Sequence, residues 1–317
     1  MLCLATLAVA QPTDSRCVKF LGIPVEGPDS LMVDALLAKD FTPWGSSDDG
    51  ATRHFRGKYY GIRGKLMVSV DLKTHRVESA YVTIGPFRSK EVMGDNFKFF
   101  LNHLRRDHGS FTAMDGGYYC NNGYGIVKIS EEETSVGNRE IKVFYFPTSP
   151  FYKDALMMGL HGNVMEVVTE NPVAEEPMMH FEPDGRLMQA DMTERNYSVY
   201  GYLTKAAMLE QSGEKSLVDF LYDDEGRLVK RTLTNKATGI RSVNEYFYND
   251  DDEIERQVQR VYDKQERPLL SITMRNSYSD YDENDNWTKN HLSLTYWDQD
   301  NGTQQAEVEQ VRTISYY

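Results

Sequence analysis

The sequence predicts an α+β protein in two parts. An N-terminal α+β domain lays helices on an antiparallel sheet, and a mostly-β domain of stacked hairpins follows as an open, twisted antiparallel sheet. Three observations carry this. Short runs alternate strictly between apolar and polar residues, which is strand periodicity. One strongly amphipathic helical stretch lies in the first half. A phrase made of an aromatic, an acidic turn and an apolar residue recurs through the second half.

In the first half, Asp29 or Ser30 is placed to cap a short helix carrying Leu31, Met32, Ala35 and Leu36. Leu66, Val68, Val70 and Leu72 then alternate, Lys73-Thr74-His75 turns, and Ala80, Val82 and Ile84 alternate back. Ser89 caps the clearest helix, whose Met93, Phe97, Phe100, Leu101 and Leu104 fall on one face. His108 suits the negative end of its dipole, and Gly109 is placed to stop it. Strands follow at Tyr118–Cys120, Ile126–Ile129 and Ile141–Phe146, with a turn at Asn122-Gly123. This order resembles the β-lactamase-inhibitor-protein layout, which implies helices on one face of an antiparallel sheet. Prolines 147, 150, 172 and 177 punctuate the passage to the second half, so the expected domains are 17–150 and 152–317.

The second half repeats. Phe181-Glu182-Pro183-Asp184-Gly185-Arg186-Leu187 is followed by Tyr222 to Leu228, Tyr248 to Ile254, Tyr262 to Pro268 and Tyr281 to Trp287. Each copy describes one hairpin, and single hairpins bury too little to stand alone, so neighbours must stack. These residues resemble the YD repeats of the Rhs family, and Asp285-Asn286-Trp287-Thr288 resembles the tails of small exported YD-repeat-like proteins. The resemblance implies an extracellular or envelope setting and a curved β wall. Spacings of 26, 14 and 19 residues between successive tyrosines from Tyr222 depart from an even repeat and favour an open sheet over a closed shell.

Met1 to Ala10 reads as the remnant of an export leader, with Ala8-Val9-Ala10 as a small-x-small cleavage pattern; a frayed apolar terminus on a cytoplasmic protein is the competing reading. The expected location is therefore periplasmic or secreted. Cys17 and Cys120 remain after leader removal, an even number that suggests one disulfide in an oxidising compartment. The net charge of −13 belongs to the second half, with 31 acids against 17 bases after residue 150. That excludes nucleic acid and anionic membrane as expected partners, because both repel it.

No histidine pair has metal-ligand spacing, and no phosphate loop, nucleotide fingerprint or nucleophile elbow occurs, so neither cofactor nor metal is expected. Asp280 to His291 imitates a calcium loop only at its start: Asp285 replaces the turn glycine and His291 the bidentate acid. The expectation is an exported, non-enzymatic binding protein for a protein or glycan at the cell envelope. Its contact residues would be Tyr281, Trp287, Tyr296 and Trp297, which offer rigid aromatic area. A hydrolase acting on cell-wall or glycan material in a cleft between the halves is the alternative. Mass spectrometry of the protein from its native host should find the mature chain beginning at Gln11; a retained Met1 would contradict the leader.

Overall fold

The computed structural model describes residues 16–317 apart from 115, 135–136, 174–176 and 211–212; the expected leader lies outside the described residues. The chain divides into two compact units, Arg16–Ser149 and Pro150–Tyr317. Both are built on large antiparallel sheets, and the helical share is small.

In the first unit, β1 (Lys19–Phe20) and β2 (Ile23–Pro24) form a miniature hairpin before α1 (Asp29–Ala38). Then come β3 (Thr42–Ser46), β4 (Thr52–Tyr59), β5 (Ile62–Asp71), β6 (Arg76–Phe87), α2 (Lys90–His108), β7 (Thr112–Met114), β8 (Gly117–Asn121), β9 (Gly125–Glu133) and β10 (Arg139–Pro147). The eight-stranded sheet runs β3-β4-β5-β6-β10-β9-β8-β7. Phe55, Leu66, Val82, Val143, Ile129 and Tyr118 stand opposite one another across it. They share one apolar cluster with Met32 and Leu36 of α1 and Met93, Phe97, Phe100, Leu101 and Leu104 of α2. Side chains on neighbouring strands alternate faces together, so both helices cover this one face. Ser89 caps α2 by accepting from the Val92 amide, and Gly109 ends it with φ +96°.

Two expectations need correction here. Asp29 is not the cap of α1: Pro28 fixes the entry with φ −59°, and the buried Asp29 carboxylate is engaged by the Arg53 guanidinium of β4. Cys17 and Cys120 are not joined to each other; both are buried thiols. The Cys120 Sγ donates to the His108 carbonyl at 3.2 Å, where it serves one of the orphan acceptors at the end of α2.

The second unit opens with α3 (Asp154–Met157), β11 (Val164–Glu170) and β12 (Met178–His180). A nine-strand meander follows: β13 (Met192–Tyr197), β14 (Leu203–Leu209), β15 (Lys215–Tyr222), β16 (Leu228–Asn235), β17 (Arg241–Tyr248), β18 (Ile254–Tyr262), β19 (Pro268–Tyr281), β20 (Trp287–Asp298) and β21 (Gly302–Tyr316). Each strand pairs with its successor, and β21 returns beside β11, giving an eleven-stranded sheet with β12 and β13 at its edges.

All five copies of the sequence phrase form the same turn. The amide of its first residue bonds the carbonyl four residues on, and the amide of its fourth bonds back to the first: Asp223 with Arg227 and Gly226, Asn249 with Glu253 and Asp252, Asp263 with Arg267 and Glu266, Asp282 with Asn286 and Asp285, Glu182 with Arg186 and Gly185. The fourth residue is left-handed each time, at φ +92° for Gly185, +76° for Gly226, +64° for Asp252, +60° for Glu266 and +62° for Asp285. That is a three-residue hairpin loop with a bulge, which explains both the glycine and its acidic replacements. Four of the opening side chains also accept two backbone amides on Oδ1: Asp223, Asn249, Asp263 and Asp282. The aromatic and the apolar residue of each phrase face each other, as in Tyr222 with Leu228 and Tyr281 with Trp287. The uneven spacing now has a cause. Following the meander, the Tyr262 turn lies at the opposite end of the sheet from the other four, so the short interval is a half-step.

The sheet cannot be flat. Laid flat, β11 and β15 are seven strand steps apart, about 34 Å at ~4.8 Å each. Yet α3, only four residues long, serves both. Met157 accepts from the Tyr222 hydroxyl at 3.1 Å and shares a cluster with Val218 and Phe220. Ala155, with Leu160 behind it, shares a cluster with Val164, Val167, Met179 and Phe181. The sheet therefore curls, and 150–163 fills one end of the curl. Gly226→Ala would force a Cβ onto a left-handed backbone and into the Tyr202 hydroxyl. Urea unfolding should show a loss of at least ~1–2 kcal/mol, whereas Asp285→Gly should cost nothing.

Candidate functional site

The curl gives the second sheet an inner face, marked by Val218 and Phe220 at one end and Val167 and Ile314 at the other, all in the α3 clusters. Register carries that face across the middle strands. Phe220, Arg231, Asn244, Gln259, Ile272, Tyr296 and Gln304 stand opposite one another in one row. Tyr246, Gln257, Met274, Leu294 and Ala306 form the next. Beyond them come Asn276, Leu292 and Val308, then Tyr278, Asn290 and Gln310.

These rows contain amides, aromatics and aliphatics, and no carboxylate. The amides are held in place by one another. Gln257 Nε2 donates to Asn244 Oδ1 at 3.3 Å, and Asn290 Nδ2 donates to Asn276 Oδ1 at 2.9 Å and Gln310 Oε1 at 3.0 Å. Gln259 Nε2 donates to the Ser242 hydroxyl at 3.2 Å. Asn244, Asn290 and Gln310 are buried, while Tyr246, Gln257, Gln259, Ile272 and Tyr296 are half-buried. The one cation of the rows is Arg231, whose Nε is buried without an acceptor among the described residues. The outer rows hold the charge instead: Asp219, Lys230, Glu245, Arg260, Arg275, Glu307 and Glu309.

The four aromatics expected to form one contact face are separated. Tyr296 lies on the inner face and donates to Gln304 Oε1. Trp297, its chain neighbour, stands in the outer row with Ser271 and Thr303, because successive strand residues point to opposite faces. Trp287 is buried, stacked on Tyr278 at 5.1 Å with the Arg312 guanidinium 3.7 Å from its ring centre. Tyr281 is exposed, yet the partial burial of its hydroxyl, followed by the hydrogen bond it donates to Glu253 at 2.6 Å, pushes its pKa up to about 12. The amide residues went unnoticed in the sequence reading, although Gln257 and Gln259 alternate along one strand as same-face residues must.

The sheet edges β12 and β13 share no ladder; side chains bridge them. Asp154 Oδ2 accepts from the Leu187 amide at 2.9 Å, on the β12 side, and from the Tyr197 hydroxyl of β13 at 2.9 Å. Arg195 of β13 donates to the carbonyls of Leu187 and Gln189. Burial pushes the Asp154 carboxyl up, outweighing these donors and the Arg195 charge that pull it down. A recess of about 450 Å³ lies along this seam, bordered by Tyr152, Glu182, Arg186, Glu194 and Arg195.

No family model matches the chain, and no curated protein matches it. Among the described residues no helix is long and apolar enough to cross a membrane.

The Asp154 carboxyl has a consequence for pH. A carboxyl whose folded pKa lies above its unfolded value of about 4 favours the fold when protonated, and that advantage is lost as pH rises toward the folded value. Asp154→Asn keeps an acceptor oxygen and cannot ionise. Its stability relative to the parent should rise between pH 3 and pH 7 in chemical unfolding; a constant or falling difference would contradict the account.

Proposed function

We propose that the protein is an exported, non-enzymatic binding protein that takes an uncharged, hydrogen-bonding ligand, a neutral glycan of the cell envelope, on the inner face of its second sheet. The observation that carries this reading is the segregation of side chains described above. The amides and tyrosines share these four inner rows with no carboxylate among them; on the same face Asp298 stands at the end of the next row, where its carboxylate accepts the Asp300 and Asn301 amides of its own turn, and most of the acidic charge lies outside.

A sugar chain presents hydroxyls, which are donors and acceptors at once, and apolar ring faces. Fixed carboxamides satisfy the first, since each offers both a carbonyl and an NH2 group. Half-buried tyrosine rings satisfy the second. The side chains are already oriented by their mutual bonds, so little rotamer entropy remains to be lost on binding. Arg231 adds an Nε donor that lacks an acceptor among the described residues. The YD-repeat resemblance and the leader expected at 1–10 support the envelope setting. Acidic groups outside keep the surface charged and soluble without lining the ligand face.

Titration calorimetry with a panel of neutral oligosaccharides tests this. Tyr296→Ala and Gln257→Ala should each weaken binding about tenfold, equivalent to ~1.4 kcal/mol. Trp297→Ala, on the outer face, should leave affinity unchanged. Equal loss from Trp297→Ala, or release of new reducing ends from the glycan, would overturn the reading.

A further inference from the structure

We infer that the first unit carries a separate site for an acidic oligosaccharide on the uncovered face of its eight-stranded sheet. The two helices cover the face of Leu66 and Val82, so the opposite face of β4 and β5 lacks their cover. On that face Arg56 stands directly opposite Lys65, and Lys58 directly opposite Arg63. Like charges facing each other across a ladder repel. Here two such pairs sit in successive same-face positions, about 6.8 Å apart along the strands. All four side chains are exposed.

These four and Lys39 border one recess of about 520 Å³, with Thr83 also in its wall. Asp40 is the single acid beside it. Among the described residues none of the five cations makes an ion pair. Elsewhere on the same sheet lysine is paired in the ordinary way, as Lys142 is with Glu132 at 2.5 Å. A chain with 48 acids has placed five cations together with no carboxylate paired to any of them among the described residues, a repulsive arrangement that an anion relieves.

The shape of the charge selects the ligand. The cations are confined to one hairpin and the helix end beside it, so an extended polyanion or an anionic bilayer, which spreads its charge over tens of Å, finds most of that charge unmatched. A short ligand bearing a few acidic groups touches only the hairpin. Next to the cations lies Trp44, 42% exposed, with the Arg56 guanidinium 4.4 Å from its ring centre and His54 beside it. An exposed tryptophan flanked by cations suits an acidic sugar, which stacks its ring and pairs its anionic groups. A bare phosphate makes no use of the ring.

Binding of a heparin-derived sulfated hexasaccharide to the full chain, followed by calorimetry at 50 and 200 mM salt, tests the inference. The hexasaccharide should bind and should weaken at the higher salt. The double variant Arg63→Gln/Lys65→Gln should lose at least tenfold in affinity while its melting temperature holds or rises, since a repulsion has been removed. Trp44→Ala should weaken the hexasaccharide and leave binding of inorganic pyrophosphate unchanged. Lys73→Gln, away from the recess, should change nothing. The inference is overturned if the hexasaccharide does not bind, or if the double variant binds it as well as the parent. It is also overturned if pyrophosphate or vesicles containing 30 mol% phosphatidylglycerol bind more tightly than the sugar. Neither the probe nor the variants touch the inner face of the second sheet, so failure here leaves the neutral-glycan reading standing.

Discussion

The second unit depends on one buried carboxylate. Asp154 is 1% exposed and receives a backbone amide from one edge of the sheet and a tyrosine hydroxyl from the other. An open eleven-stranded sheet has no ladder to join its ends, and two bare edges are a liability. A short helix at one mouth of the curl resolves this. Its apolar residues occupy the clusters of both ends, and its acid ties Leu187 to Tyr197. Without that tie, twist alone would curl the sheet but would not fix which strands meet. The arrangement costs something, because burial opposes the charge on Asp154. It is the expected cost of holding a polar clasp inside apolar surroundings.

The curl sorts the side chains. Once one face is turned inward, strand alternation sends every second residue to it, and the partition of amides from charges follows from parity alone. The repeated turns keep that parity consistent. Each has the same hydrogen-bond skeleton, so each returns its strand in the same register. The tyrosines add a second tie between neighbours: Tyr248 donates to the Leu228 carbonyl at 2.9 Å and Tyr222 to that of Leu203 at 2.8 Å. Turn, tyrosine and register together place Asn244, Gln257 and Tyr296 on one face.

Local features were legible in the sequence. The Ser89 cap, the buried stripe of α2 and the hairpin phrases all rest on contacts a few residues apart, which spacing reports faithfully. Asp252, Glu266 and Asp285 show how far this reaches, since each keeps the left-handed turn without glycine. The pairing of β11 with β21 was not legible, because it joins Val167 to Ile314 over more than a hundred intervening residues. The clasp was hidden for the same reason. The placement of the aromatics was not legible either: Trp287 was sought at the surface, but its neighbours Tyr278 and Arg312 enclose it. A tryptophan beside an arginine two strands' length away in sequence carries no local signal. The amides did carry one, in the alternation of Gln257 and Gln259, but uncharged polar residues on a strand also describe an ordinary solvent face.

Amide hydrogen exchange tests the clasp most directly. The Leu187 amide belongs to no strand of the sheet and is bonded to a side chain 33 residues away. If the Asp154 clasp closes the curl, that amide should exchange only through global opening, with the same protection as Val167 and Val218 in the two ends it joins. Exchange of Leu187 at the rate of an exposed loop, while Val167 and Val218 stay protected, would contradict the account.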